Sequence, residues 1–143
     1  MERPIFKEIG TPAEELDPSS MVVDVGILDS NIQKMHSFFS GREVKLRPRA
    51  DAHLCPAIAH KQLLTGGTVG GIAVGTIGQA EIFAEYGFSD ILLTNVVVAK
   101  HKIARVCGLA GMVNISVVVD DLTNLRDLSD AATERKVNIG VVI

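Results

Sequence analysis

The feature that most constrains the fold is a rhythm. Short apolar, β-branched runs return at intervals of about 20 to 27 residues, and an amphipathic segment fills each interval. Residues 44–48, 71–75, 90–94, 115–119 and 138–143 are the five strand runs of this series. Several are apolar on both sides, as in Val117-Val118-Val119, which suits strands covered on both faces. Alternation of this kind builds a parallel sheet. Two architectures remain open, an arc of an eightfold (β/α) barrel and an open doubly wound parallel α/β sheet. A closed barrel takes about 250 residues, so five strands make little more than half of one. The run at 140–143 is expected to lie inside an uncompleted βα repeat, whereas the open sheet needs no further part.

Local signals agree with this rhythm. Residues 1–20 hold three prolines and several acids without periodicity, and read as an irregular arm leading to a short strand at 21–24. The α/β domain then occupies 21–143. Leu28, Ile32, Met35 and Phe39 recur at helical spacing before Gly41, a stop signal. Thr76-Ile77-Gly78-Gln79 has the form of a capping box, and Gly87 closes the helix that carries Ile82, Phe83 and Tyr86. Residues 100–110 place Ile103, Val106 and Ala110 on one side, and Asp120 or Asp121 can cap the helix carrying Leu122, Leu125 and Leu128.

Composition removes several functions. With 47% apolar residues and 22% charged, the 143-residue chain can bury a core. Its 14 basic and 17 acidic residues are dispersed, and aromatic residues are only 4%, so it has neither the basic patch nor the stacking groups of a nucleic-acid binder. No apolar run reaches the roughly 18 residues of a membrane span. The start of the sequence lacks a signal-peptide core, so the cytoplasm is the expected compartment. Cys55 and Cys107, with no metal-type spacing, are expected to be reduced, buried thiols.

In parallel α/β folds chemistry gathers at the carboxyl ends of strands, which points to Arg49, Asp51 and His53. If the backbone stays extended, their odd spacing puts them on one face. Arg49 could neutralise Asp51, and His53 could donate to an anion. The plainer expectation is a salt-bridged loop leading into a helix with Pro56 in its first turn. Asp51 and His53 alone supply too few ligands for a metal, and His36, His60 and His101 fall on helices. The glycines at 66–71 precede a strand and lack a following Gly-Lys-Ser/Thr, so they read as a helix stop and turn. Thr76 to Gln79, after the strand, is a better place for backbone N–H groups to meet an anion, although a helix cap also explains it. Asn95 and Asp120 are further polar groups at strand ends.

The segment Arg47-Pro48-Arg49-Ala50-Asp51-Ala52-His53-Leu54 resembles the R-P-H-x-K-T-H-K segment of the D-threonine aldolase and D-serine dehydratase family, pyridoxal-phosphate lyases with an alanine-racemase-type barrel. The resemblance runs on through Pro56-Ala57-Ile58-Ala59, residues 71–81, 87–95 and 117–120. It implies a partial alanine-racemase-type TIM barrel over 21–143, with Arg49, His53 and Thr76 near the cofactor. It also places Asp51 at the Schiff-base lysine, Leu54 at a second lysine and Arg49 at the first histidine; only His53 keeps its type. The family's further barrel strands and its β-rich, metal-bearing domain have no counterpart in residues 1–143.

A lysine amine condenses with an aldehyde and a carboxylate cannot, so covalent pyridoxal-phosphate binding is not expected here. Lys45 cannot replace it, lying some 20 Å up-chain at about 3.3 Å per residue. Asp51 would also repel an anionic cofactor by about 4 kcal/mol, at an effective dielectric near 20 and a separation near 4 Å, before Arg49 screens it. Three functions follow as expectations: a degenerate relative unable to do this chemistry, a part of a longer active lyase, or a noncatalytic module for a small anion or the cofactor. Open strand edges near Val44 and Asn138 further lead us to expect a homo-oligomer or a partner chain.

Overall fold

The computed structural model of the chain describes residues 7, 8 and 10–143. Most of the irregular arm expected at 1–20 can therefore be followed only from residue 10, and it contains one 3-10 turn, Ala13–Glu15. Helix α1, Val25–Phe39, comes next. The strand expected at 21–24 is not formed: these residues pair with no neighbour, their side chains are exposed, and Asp24 instead caps α1 by accepting from the Ile27 N–H at 2.9 Å.

From there the chain alternates as its rhythm requires. Helix α2 is Pro56–Leu64, β1 Ile72–Val74, α3 Ile77–Glu85, β2 Asp90–Leu93, α4 Lys100–Ala110, β3 Asn114–Val118, α5 Leu122–Arg135 and β4 Gly140–Val142. The sheet has four strands in the order β1-β2-β3-β4, all parallel. The fifth expected strand, 44–48, is reduced to two isolated bridges, Leu46 to Thr68 and Arg49 to Ala73. Pro48 has no N–H to give a ladder, and the opposing chain turns at Gly70, φ +85°, between the two bridges.

Strand order without reversal decides between the two architectures. An open doubly wound sheet changes direction at a switch point so that its helices reach both faces. Here each unit advances one position, and consecutive helices α3, α4 and α5 lie side by side. One face of the sheet carries Ile72, Ile91 and Ile115 in one row and Val74, Leu93 and Val117 in the next, and all six are buried. They pack with Ile77, Phe83, Ile103, Val106 and Leu128 from the helices in one apolar cluster. Burying each such side chain contributes about 1.5–3 kcal/mol, so this cluster is the main source of stability. The other face has smaller and more polar residues in register, Ala73, Leu92, Ser116 and Gly140, of which Leu92 and Ser116 are half-buried and Gly140 exposed. Val118 is likewise only half-buried, so the strands are covered by helices on one side rather than both. This is the arrangement of a barrel arc, in which the second face looks inward.

The helix ends follow the local chemistry. Thr76 and Gln79 form the capping box of α3, Gly87 (φ +88°) follows its end, and Asp121 rather than Asp120 caps α5, accepting from the Thr123 and Asn124 N–H groups. Leu122 is exposed and stays out of the core, to which Leu125 and Leu128 are directed. Cys107 is buried as expected, but Cys55 is only half-buried, because it stands at the N-cap of α2.

Candidate functional site

The mouth of the sheet is built where residues 46–53 pass the carboxyl end of β1. The Pro48 carbonyl accepts from the Ala73 N–H at 2.8 Å and holds this segment alongside β1. A 3-10 turn, Ala50–Ala52, then lifts the chain out of the sheet. This turn overturns the expectation that Arg49, Asp51 and His53 share one face, since the extended alternation ends at Arg49.

Asp51 stays at the mouth. Its carboxylate takes both ends of the Arg49 guanidinium, Nε to Oδ1 at 3.1 Å and Nη2 to Oδ2 at 2.6 Å. The Asp51 side chain is 16% exposed and that of Arg49 60%. The hydrogen bond from Arg49 holds the Asp51 carboxyl below the usual carboxylate range, against the opposing effect of its partial burial. The same pairing raises Arg49 above its ordinary value.

His53 is turned to another task. Its Nδ1 accepts from the Cys55 N–H at 3.1 Å and its Nε2 lies 3.3 Å from Gln62 Oε1, so the ring bridges the start of α2 to its last turn. It ties the chain entering α2 to that helix's last turn, and its hydrogen bonds go to Cys55 and Gln62, not to Asp51. Leu54, between His53 and Cys55, adopts a left-handed φ of +53°, which swings the chain into α2.

Across the mouth, a methyl group at Gly75 would lie 3.2 Å from Asp51 Oδ2, 3.5 Å from Asn95 Nδ2 and 3.7 Å from Gln79 Oε1. Asp51 and Asn95, far apart in sequence, therefore meet above Gly75. Gln79 Oε1 is already committed to the Gly75 and Thr76 N–H groups, at 3.1 and 3.0 Å. Thr76 caps α3 through its hydroxyl. Asp120 is exposed and takes no part.

Two cations that sequence reasoning missed border the same place. Lys102 and Arg105, from the first two turns of α4, line a cavity of ≈ 190 Å³ together with Gly75, Thr76, Gly78 and Asn95. Lys102 is thus an amine near the strand ends that the sequence, with Lys45 set aside, did not bring to notice. Arg105 is paired with Glu81 through two hydrogen bonds, and this pairing lowers Glu81 below its usual range. Among the described residues, Lys102 has no ion-pair partner.

The remaining histidines are dispersed. His36 is buried with Nδ1 2.6 Å from the Gly66 carbonyl, His60 stacks on Phe88 at 4.1 Å, and His101 is exposed. Among the described residues no three His, Cys, Asp or Glu side chains come together as a metal site. Nor, among them, is any helix long and apolar enough to cross a membrane.

For the aldehyde cofactor that the resemblance implies, residue 51 offers an ion-paired carboxylate. Covalent attachment there does not fit.

No family model matches the chain. It is 35% identical over 134 residues to a D-threonine aldolase of an Arthrobacter species, which is 94% of this chain and 35% of that protein. It is 30% identical over 135 residues to a 3-hydroxy-D-aspartate aldolase of Paracoccus denitrificans, with the same coverages. Among solved structures, the D-threonine aldolase of Filomicrobium marinum superimposes with a TM-score of 0.84 and 33% identity, over 90% of this chain and 34% of that one. An alanine racemase-like protein of Idiomarina loihiensis gives 0.71 and 26%, over 82% and 31%. The chain thus spans about a third of the length of the relatives it matches.

Proposed function

Because the chain is a homologue of the D-threonine aldolase and 3-hydroxy-D-aspartate aldolase group, with the α/β fold of its alanine-racemase-like barrel, we propose that it is a degenerate relative unable to perform pyridoxal-phosphate lyase chemistry. One observation carries the reading. At the strand end where the family resemblance places an imine-forming lysine, this chain holds Asp51, ion-paired to Arg49 at 2.6 Å. A carboxylate has no nitrogen with which to condense. When bound, pyridoxal phosphate supplies an electron sink for carbanions; the residues at this mouth offer it a counter-charge at Lys102 but no anchor at 51.

The full chain mixed with pyridoxal phosphate is expected to show no aldimine absorbance and no borohydride-fixed adduct at the mouth in peptide mass mapping. A stoichiometric adduct at Lys102 would overturn the proposal.

A second reading is favoured by coverage: the chain corresponds to a third of each relative, so it can act as one part of a longer assembly. The edge of β4 and the bridged segment at 46–49 each leave backbone groups open, and Val141 and Val142 are exposed beside a groove lined by Leu125, Ala132, Val137 and Ile139. Self-association or a partner chain relieves such edges. Light scattering is expected to give a mass above that of the 15.3 kDa chain; a monodisperse monomer would reject self-association.

A further inference from the structure

The segment at 46–49 has one bonded edge and one open edge. On the side of β1, the Leu46 N–H donates to the Gly67 carbonyl, the Leu46 carbonyl accepts from Val69, and the Pro48 carbonyl accepts from Ala73. Peptide groups of an extended chain alternate sides, so those of Arg47 and Arg49 face the other way. Among the described residues, the Arg47 N–H, the Arg47 carbonyl and the Arg49 N–H make no backbone hydrogen bond. This edge borders a groove of ≈ 410 Å³ whose opposite wall is Leu28, Ile32 and Met35 of α1. A donor, acceptor and donor in a row beside apolar side chains is what an added strand requires.

The same chain carries a strand-like run with no sheet. Residues 21–24 pair with no neighbour, and Met21, Val22 and Val23 are 90%, 68% and 49% exposed. Their two β-branched valines favour an extended backbone. The groove of their own chain is closed to them by geometry, because Asp24 is already the N-cap of α1 and the turn from strand to helix takes about 2–6 residues. A strand from a second copy needs no such turn.

Charge sets its direction. With Val22 opposite Arg47, a parallel strand sends its N-terminal side, with Glu14, Glu15 and Asp17, toward Arg42 and Lys45, and all of these are exposed. An antiparallel strand would carry the same acids toward the Asp51 carboxylate. In the parallel register Met21 and Val23 share the face of Leu46 and Pro48, away from the Arg47 side chain, and Asp24 comes beside Arg49.

We propose that residues 21–24 of one copy add in parallel to the open edge at 46–49 of a second copy, seating Met21 and Val23 in the groove beside α1. This rests on the reading that open edges drive self-association, and it names the edge and its occupant. Arg47 N–H then donates to the incoming Met21 carbonyl, the incoming Val23 N–H to the Arg47 carbonyl, and Arg49 N–H to the incoming Val23 carbonyl.

The test combines light scattering with disulfide trapping on the full chain. Wild type is expected at twice the 15.3 kDa of one chain or more. Val23→Lys sets a charge against the groove at a position exposed in the single chain, so it is expected to keep the circular dichroism spectrum and raise the dissociation constant about tenfold or more. Mild oxidation of a mixture of Met21→Cys and Leu46→Cys chains is expected to join one variant to the other, with the 21–46 link identified by peptide mass mapping. A monomeric wild type would reject the self-association reading and the proposal together. An associated wild type whose affinity Val23→Lys leaves unchanged, or a mixture that forms no 21–46 link, would overturn the proposal alone and move the interface to the β4 edge. A 21–46 link formed within a monomeric double variant would also overturn it, in favour of closure within one chain.

Discussion

Arg47 and Arg49 stand two residues apart and do opposite kinds of work. Arg47 reaches across the sheet: its guanidinium holds Asp90 at 2.7 and 3.3 Å and touches the Ile72 carbonyl at 3.3 Å, joining the bridged segment, β1 and β2. Arg49 reaches only to Asp51, two residues on. The first pair closes a contact 43 residues long at the strand starts and ties down the framework. The second sets charge at the strand ends, where ligands are met. Two arginines of one bridged segment thus serve the framework in one case and the charge at the mouth in the other.

The largest expected effect comes from Gly71, beneath the framework pair. A methyl group there would meet the Arg47 guanidinium and lie 2.6 Å from Asp90 Cγ and 2.7 Å from the Asp90 carbonyl oxygen. Both strands would have to part, so Gly71→Ala is expected to cost about 3 kcal/mol, at the upper end for overpacking. Asp90→Ala, which leaves Arg47 without its partner but disturbs no backbone, is expected to cost about 1–2 kcal/mol, the range for a hydrogen bond to a charged group with part of its benefit lost to solvent. Urea denaturation followed by circular dichroism ranks them. The reverse order would show that the Arg47 and Asp90 side chains give way to the methyl group and that the strands do not have to part.

How much of this was legible in the sequence depends on whether the signal was local. The capping box of Thr76 and Gln79, the stop at Gly87 and the apolar spacing of α4 are all written within a few residues, and they emerge as read. The segment at 44–48 carries a strand-like composition, yet its ladder fails because its partner turns at Gly70, a property of another stretch of chain. The same limit hid the role of His53. Its spacing from Asp51 suggested a shared face, but the 3-10 turn at Ala50–Ala52 breaks the extended alternation, and the ring is held by the Cys55 N–H and Gln62. Lys102 was invisible as a mouth residue because nothing near it in sequence tells that α4 will rest beside Gly75. Asp51 was legible through its place after a strand, and Asn95 only as one polar strand-end group among several.

The smallest effect belongs to the mouth pair, and its pH dependence is what separates it from the framework. Asp51 has its carboxyl pKa depressed, chiefly by the hydrogen bond from Arg49. A depressed carboxyl binds its proton less readily in the folded than in the unfolded chain, so its contribution to stability is complete above the unfolded value of about 3.9 and is lost as pH falls through the lower folded value. Removing Arg49 removes the main cause of the depression. Arg49→Ala is therefore expected to shift the urea midpoint only slightly downward at pH 7, because the guanidinium is largely exposed and solvent screens the pair. The shift is expected to shrink further in about 1 M salt, where the Debye length is about 3 Å. Below about pH 4 it is expected to close, as wild type loses the benefit that the variant never had. A gap that persists unchanged into acid would assign the contribution of Arg49 to packing of its aliphatic stem and would leave Asp51 without its electrostatic partner.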